Sequence, residues 1–234
     1  MISIVIPARD EGDTIDSVIT DILSVTKGLS EEFEVIIVND GSKDNTGQII
    51  DRYTNIKLIN NPYSKGYGAS IKEGVLSAIG ETVLTIDADA QHQAGDMIKL
   101  IEAYKKFGGL VSGQRVVYNG PQIRVPGKII LQKFAEYLVD QKINDINCGF
   151  RIFSKKIFCK YLHLYPNGFS LSTTLLLSCL KDGVNVTYVP IEVKKRFISG
   201  NSLVGPKDAF NLLVLMFRIT ILFSPMRVFA PIQA

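Results

Sequence analysis

Cysteine is scarce in this sequence. The three residues present, Cys148, Cys159 and Cys179, are odd in number and lack metal-ligand spacing, so neither a disulfide framework nor a cysteine metal site is indicated. The opening stretch, MISIVIPARD, has no basic region followed by a long apolar one, so no secretory signal is visible and a reducing cytoplasmic setting is expected. There is no internal repeat and no low-complexity segment. No P-loop lysine motif is present, and Gly66-Tyr67-Gly68 lacks the third glycine of a dinucleotide fingerprint, which argues against an ATPase and a dehydrogenase. What is there is an ordinary globular composition. With 46% hydrophobic and 21% charged residues the chain is neither disordered nor collagen-like, and its 234 residues suit one domain of catalytic size.

The net charge of +3 is unevenly placed. From Lys194 onward six basic residues (Lys194, Lys195, Arg196, Lys207, Arg218, Arg227) face one acid, Asp208, whereas the first 193 residues carry 20 basic and 22 acidic groups. The residues interleaved with this basic tail are Phe, Leu, Ile, Val and Met. That composition favours an anionic membrane surface over nucleic acid.

Short apolar runs alternate with helical patterns. Ile2–Ile6 and Phe33–Val38 read as buried strands, and between them Ile15, Val18, Ile19, Ile22, Leu23 and Val25 fall close to helical spacing, with Asp13 or Thr14 as a cap. The alternation continues through a helix at 44–53, a strand at 56–59, a helix at 69–79, a strand at 82–86, a helix at 94–107 and a strand at 110–112. Further on, 120–127 reads as a loop, 128–140 as a helix, 144–153 as a polar loop entering a strand, 168–180 as a helix and 184–193 as a strand. The pattern predicts an α/β fold, a largely parallel sheet covered on both faces, with ligands at the carboxyl ends of the strands. The active-site loops are then expected at 8–12, 39–45 and 87–91.

The sharpest local feature is Thr85-Ile86-Asp87-Ala88-Asp89-Ala90-Gln91, in which an apolar strand runs into two carboxylates one residue apart. In an extended chain residues i and i+2 point the same way, so Asp87 and Asp89 can converge on one ligand. Such a pair suits Mg²⁺ or Mn²⁺, which keep positions open for phosphate oxygens, and Gln91 extends the polar edge. A solvated acidic turn is the alternative. The neighbouring strand ends favour the first reading, because Ala8-Arg9-Asp10-Glu11 and Asn39-Asp40-Gly41-Ser42 put polar loops on the same sheet edge. Together they describe a nucleotide pocket with a metal beside it.

These residues also carry a resemblance. IVIPARDEGDTI, VIIVNDGSKDNT, Gly66-Tyr67-Gly68-Ala69 and LTIDADAQH resemble, in order, the motifs of family-2 glycosyltransferases with the GT-A fold. DINCGFR (145–151) followed by Gly168-Phe169-Ser170 is similar to the branch containing dolichyl-phosphate mannose synthase and other polyprenyl-phosphate sugar transferases. The resemblance spans roughly residues 1–231. It implies that Pro7, Ala8, Arg9 and Glu11, with Val38 and Ala88, line the nucleoside side of the pocket, and that Asp40 hydrogen-bonds the base. Asp87, Asp89 and Gln91 would hold the metal and diphosphate of an NDP-sugar of the GDP-mannose or UDP-glucose type. Arg115 falls where this branch has a phosphate-binding arginine, and Arg124 is a second candidate. The first loop departs from the family's commoner aromatic-Asn-Glu. Gly200-Asn201-Ser202-Leu203 also departs from its Ser-Lys or Ser-Ser pair, leaving Arg196 and Ser202 as candidates for a late phosphate contact.

The acceptor follows from what is missing. Hydroxyl-using relatives carry a Glu-Asp pair at the start of a helix beyond the two aspartates, but the corresponding stretch here, 168–174, has no acid. An alcohol needs a general base whereas a phosphate monoester is already anionic, so a polyprenyl phosphate is the expected acceptor. The expected catalytic residues are Asp89, Arg115 and Asp145, with direct attack inverting the sugar. Asp145 is the rival base for a hydroxyl acceptor, or else an acid capping the turn before Cys148, itself read as a small buried cysteine. A non-catalytic NDP-sugar binder is the remaining alternative. His92, beside the aspartate loop, is placed to touch a phosphate but as a lone histidine is read as a surface residue, and His163 is read as having no chemistry. Residues 1–204 form the expected catalytic domain. In 205–234, residues 209–223 are too short for a span of about 20 residues and read as an interfacial helix at the cytoplasmic membrane face. Residues 223–231 look like the point where many relatives enter transmembrane helices, so the chain is expected either to stop short of such helices or to be monotopic.

Overall fold

Ile2–Ala8 is buried along its whole length and forms an interior strand of the sheet, β1. The computed structural model describes residues 1–116, 132–137, 139–168, 170–194, 214 and 221. Among these, the strands after β1 are β2 (Phe33–Asn39), β3 (Lys57–Asn60), β4 (Thr82–Thr85), β5 (Leu110–Arg115), β6 (Arg151–Ser154) and β7 (Val186–Ile191). The helices are α1 (Ile15–Lys27), α2 (Thr46–Ile50), α3 (Tyr67–Ser77), α4 (Asp96–Phe107), α5 (Lys155–Lys160) and α6 (Leu171–Lys181). The sheet order is β3-β2-β1-β4-β6-β5-β7. As the alternation predicts, it is mostly parallel. The exception is β6, antiparallel to both β4 and β5.

Alternation along β1 sorts its side chains to two cores. Ile2, Ile4 and Ile6 join Ile15, Val18, Ile19 and Ile22 of α1 and Met97, Leu100 and Ile101 of α4. Val5 faces the other layer, with Ile71 and Val75 of α3 and Leu175 and Leu176 of α6. The chain grows from β1 outward through β2 and β3, then crosses to β4 on the other side. The crevice at the carboxyl ends of β1 and β4 is therefore a topological switch point, where ligands bind in such sheets. Pro7 fits this position. The β1–β4 ladder ends with Ile86 donating to the Val5 carbonyl at 3.2 Å, so the donor that Pro7 lacks falls where β4 has already left.

Several boundaries differ from the periodicity. The helix expected over 44–53 is only Thr46–Ile50. Asp44 accepts from the Thr46 amide at 3.0 Å and its hydroxyl at 2.5 Å, a local turn that competes with helix initiation. Strand β4 stops at Thr85, before the aspartates, and β5 runs to Arg115 because β7 pairs with its whole length. Residues 132–137 are helical, within the expected 128–140.

Candidate active site

Three loops close over the β1–β4 crevice and are tied to each other by side chains the sequence supplies at short range. Asp10 has a left-handed backbone (φ 52°), which Asp tolerates better than most residues. Its amide donates to Ser42 Oγ at 3.0 Å, and its carboxylate accepts from the Lys43 amide at 2.7 Å. Glu11 and Gly12 amides donate to Thr46 Oγ1 and Asp44 Oδ2, each at 2.9 Å. Thr14 is the residue before α1, as expected, but its side chain does not cap the helix. Its hydroxyl donates instead to the Ala88 carbonyl at 2.9 Å, with Glu11 Oε2 3.1 Å away. The first loop is thereby fastened to the segment between the two aspartates.

Asp40, buried at the end of β2, accepts from Ser64 Oγ (2.6 Å), the Lys65 amide (2.7 Å) and the Gly66 amide (3.0 Å). Burial works against its charge, but these donors leave its carboxyl below the usual range. Arg9 reaches the same Ser64 hydroxyl at 2.9 Å and stays half exposed beside Asp10. Gly66 has φ 101°, and a Cβ there would lie 2.5 Å from the Asn167 carbonyl, so the turn into α3 requires glycine. Ala8, Val38 and Ala88 are buried in the apolar layers, leaving backbone as their contribution to any ligand.

That turn aims Tyr67, whose hydroxyl donates to Asp87 Oδ1 at 2.9 Å. His92 Nε2 stands 3.7 Å from Asp87 Oδ2. Burial pushes the Asp87 carboxyl up, yet His92, Tyr67 and Arg115 together hold it below the usual range. Burial and Asp87 push the Tyr67 phenol well above its own. The expectation of a surface His92 is corrected here: its side chain is 6% exposed, its ring packs 5.2 Å from that of Phe150, and it bridges to Val193. An isolated histidine in sequence gives no sign of a neighbour that arrives from the far end of the chain.

Asp89 does not follow Asp87 by strand alternation. Residues 88–90 bend, Ala90 has φ 57°, and Asp89 Oδ1 accepts from the Gln91 amide at 3.1 Å. The Gln91 carbonyl accepts from the Lys194 amide at 2.9 Å, bringing the start of the basic tail beside this loop. Behind the loop is a cavity of about 190 Å³ against Val18 and Ile22 of α1. Asp87 and Asp89 are partly exposed oxygen donors on an open rim. Among the described residues no set of three His, Cys, Asp or Glu side chains forms a closed metal cage. Carboxylate oxygens are the donors a Mg²⁺-like ion takes, with the rest of its shell left to water and substrate phosphate.

On the other side of the crevice, Arg115 clasps Asp145 in a fork: Nε to Oδ2 and Nη2 to Oδ1, both at 2.7 Å. Asp145 is 4% exposed and also accepts from the Asn147 amide at 3.3 Å, the turn-capping role anticipated for it. Burial lowers the Arg115 pKa, but Asp145 more than compensates and the net direction is up. The Arg115 side chain is 29% exposed, with Nη1 uncommitted among the described residues. Cys148 is buried, as expected, and its thiol is pushed up to about 12; His163 is exposed. Arg124, Arg196 and Ser202, and all of the proposed interfacial helix at 209–223 except residues 214 and 221, lie outside the described residues.

Sequence reasoning missed Tyr67, Gly149 and Arg151 although all three lie in quoted motifs. A Cβ on Gly149 would stand 2.7 Å from Tyr67 Oη and 2.8 Å from Asp87 Oδ2, so this glycine lets the loop entering β6 press against the aspartate. Nothing local in the sequence signals that approach.

The mixed seven-stranded sheet with its crevice between β1 and β4 is the GT-A glycosyltransferase fold. Residues 3–162 match the model of glycosyl transferase family 2, and the chain belongs to that family. It is 27% identical over 210 residues to a dolichyl-phosphate beta-glucosyltransferase of Trichomonas vaginalis, covering 82% of this chain and 65% of that protein. It is 26% identical over 192 residues to the dolichol-phosphate mannosyltransferase of Pyrococcus furiosus, covering 75% and 52%. The chain thus spans less than two thirds of the length of these relatives. Glucosyl-3-phosphoglycerate synthase from Mycobacterium tuberculosis, solved with Mn²⁺, UDP and glucosyl-3-phosphoglycerate, superposes with a TM-score of 0.73 at 17% identity, over 94% of this chain and 80% of that one.

Proposed function

We propose that this chain transfers a hexose, with inversion, from a nucleoside-diphosphate sugar to a polyprenyl phosphate at the cytoplasmic face of a membrane. The observation that carries this reading is the Arg115–Asp145 fork. Each Asp145 oxygen accepts from the Arg115 guanidinium and from an amide as well, Oδ2 from that of Arg115 and Oδ1 from that of Asn147, so the carboxylate has no free position from which to take a hydroxyl proton without breaking one of these bonds. The start of α6, Leu171-Ser172-Thr173-Thr174, offers no acid in its place. A phosphate acceptor needs no base, and the open edge of Arg115 is suited to orient one. The names of the relatives, which act on dolichyl and dolichol phosphates, support the same acceptor class.

In this reading Asp87, Asp89 and Gln91 hold a divalent cation. When bound, that ion would offset the negative charge developing on the departing diphosphate. Tyr67 keeps Asp87 oriented and His92 closes its rear. Arg9, Glu11 and the Asp40-braced turn frame the nucleoside, which is of the GDP or UDP type. Arg124, Arg196 and Ser202 supply further phosphate contacts. Residues 1–204 form the catalytic unit, and 205–234 lie at the membrane surface. Among the described residues no helix is long and apolar enough to cross a membrane.

The test is an acceptor competition. Labelled UDP- and GDP-sugars are offered with polyprenyl phosphate, the free polyprenol and soluble saccharides, and products are partitioned into organic solvent. Label extracted only with the phosphorylated lipid supports the proposal. Equal transfer to polyprenol or to saccharide hydroxyls overturns it.

A further inference from the structure

Arg151 on β6 heads the fully buried side chains by volume, at 1% exposure, and lies opposite Thr85 of β4 and Ser112 of β5. Among the described residues no carboxylate pairs with it, and its Nε has no hydrogen-bond partner. Burial works against its charge. Packing does not account for arginine here, since a leucine or methionine would fill an interior position without burying an unpaired cation. What arginine adds is a fork. Nη1 donates to the Ser172 carbonyl and Nη2 to the Ile146 carbonyl, the latter at 3.1 Å.

The two carbonyls belong to different arms of the site. Ile146 follows Asp145, which clasps Arg115. Ser172 lies in the first turn of α6, and the segment entering that helix is tied to α3, which carries Tyr67, by the Ala69 amide donating to the Asn167 carbonyl at 3.1 Å; the Tyr67 hydroxyl in turn orients Asp87. The geometry points to Arg151 as a positioning residue that sets the spacing between the phosphate arginine, Arg115, and the cation-side carboxylate, Asp87. The role rests on the sugar-transfer reading above. A phosphate held by Arg115 and a diphosphate held near Asp87 then keep one separation, which the planar, two-donor guanidinium maintains alongside the Thr173 hydroxyl, itself donating to Asn147 Oδ1 at 2.6 Å.

Arg151→Ala and Arg151→Lys test this, with turnover and structure read separately. A misplacement of the order of 1 Å costs about 100-fold, so kcat is expected to fall by roughly that factor in both variants while donor KM changes by no more than about threefold. Methylguanidinium at tens of millimolar is expected to restore at least about a tenth of the lost rate in Arg151→Ala and nothing in Arg151→Lys, which has no cavity of the right shape. Independently of turnover, exchange of the Arg115 Nε proton, followed by NMR, is expected to quicken at least about tenfold in the folded variants, and to slow again with methylguanidinium in Arg151→Ala. Wild-type rates in Arg151→Ala, or activity that merely tracks the folded fraction with no rescue and unchanged Arg115 exchange, overturn the positioning role. Should Arg151→Ala not fold, Arg151→Lys decides by its kcat and exchange alone. If the wild type transfers no sugar but Arg115 exchange responds as stated, the positioning role stands and the sugar-transfer reading fails.

Discussion

A methyl group at position 149 would collide with both Tyr67 and Asp87, whose polar atoms lie within 2.9 Å of it. Neither partner is a free flexible end, because the two are hydrogen-bonded to each other. Gly149→Ala is therefore expected to displace the Asp87 carboxylate and destabilise the fold by about 1–3 kcal/mol, as overpacking does. Nucleotide affinity measured with Mn²⁺ should fall in this variant more than nucleotide affinity measured in chelator. Equal affinities to wild type would show that Asp87 is not held where the glycine permits. Asp40 gives a prediction in pH. Asn at 40 keeps one acceptor oxygen for three donors, so Asp40→Asn should cost about 1–3 kcal/mol near neutrality by urea unfolding. Because the folded carboxyl sits below its unfolded value of about 3.9, that difference is full above about pH 4 and shrinks as pH falls through the lower folded value. A difference that grew on acidification would contradict the assignment. At this scale the sequence was informative about chemical type: Asp87, Asp89, Asp40 and Arg115 all stand out from their loops. It was silent on partners such as Tyr67, His92 and Gly149, which reach Asp87 from α3, from the turn after β4 and from the chain entering β6.

Strand β4 and the chain entering β6 are joined by one buried bond, Thr85 Oγ1 to the Gly149 carbonyl at 2.6 Å. Thr85→Val keeps the β-branched shape and removes the donor. It should lower stability by about 1–3 kcal/mol, since a buried carbonyl is left unmatched, and should speed amide exchange in 145–149 more than in β1. Uniform exchange across the sheet would mean that the bond does not anchor this loop in particular. The elements formed by strong local pattern, β1, α1, β2, α3 and α4, were legible from apolar spacing. The reversed direction of β6 was not, because four residues with no distinctive turn before them carry no information about which strands they lie between. Helix α2 came out shorter than its periodicity because Asp44 and Thr46 satisfy each other first.

For the molecule as a whole, function follows from where the sheet changes direction of growth. The switch between β1 and β4 gathers three loops at one edge, and the β6–β5–β7 half brings Arg115 and Asp145 to the opposite wall. One wall is rich in carboxylates and the other presents a guanidinium; under the function proposed above, the first would face a metal-bound diphosphate and the second an incoming phosphate. The excess of basic groups in the sequence begins at Lys194, whose amide donates to the Gln91 carbonyl of the aspartate loop. The most direct measurement is a calorimetric titration of UDP and GDP into the full chain with Mn²⁺ and with chelator, repeated for Asp89→Asn. Loss even of an outer-shell partner costs about 10–100-fold in metal affinity, so binding of at least one nucleotide should depend on Mn²⁺ and weaken at least about tenfold in the variant. Nucleotide binding that is equally tight in chelator and in Asp89→Asn would contradict the account.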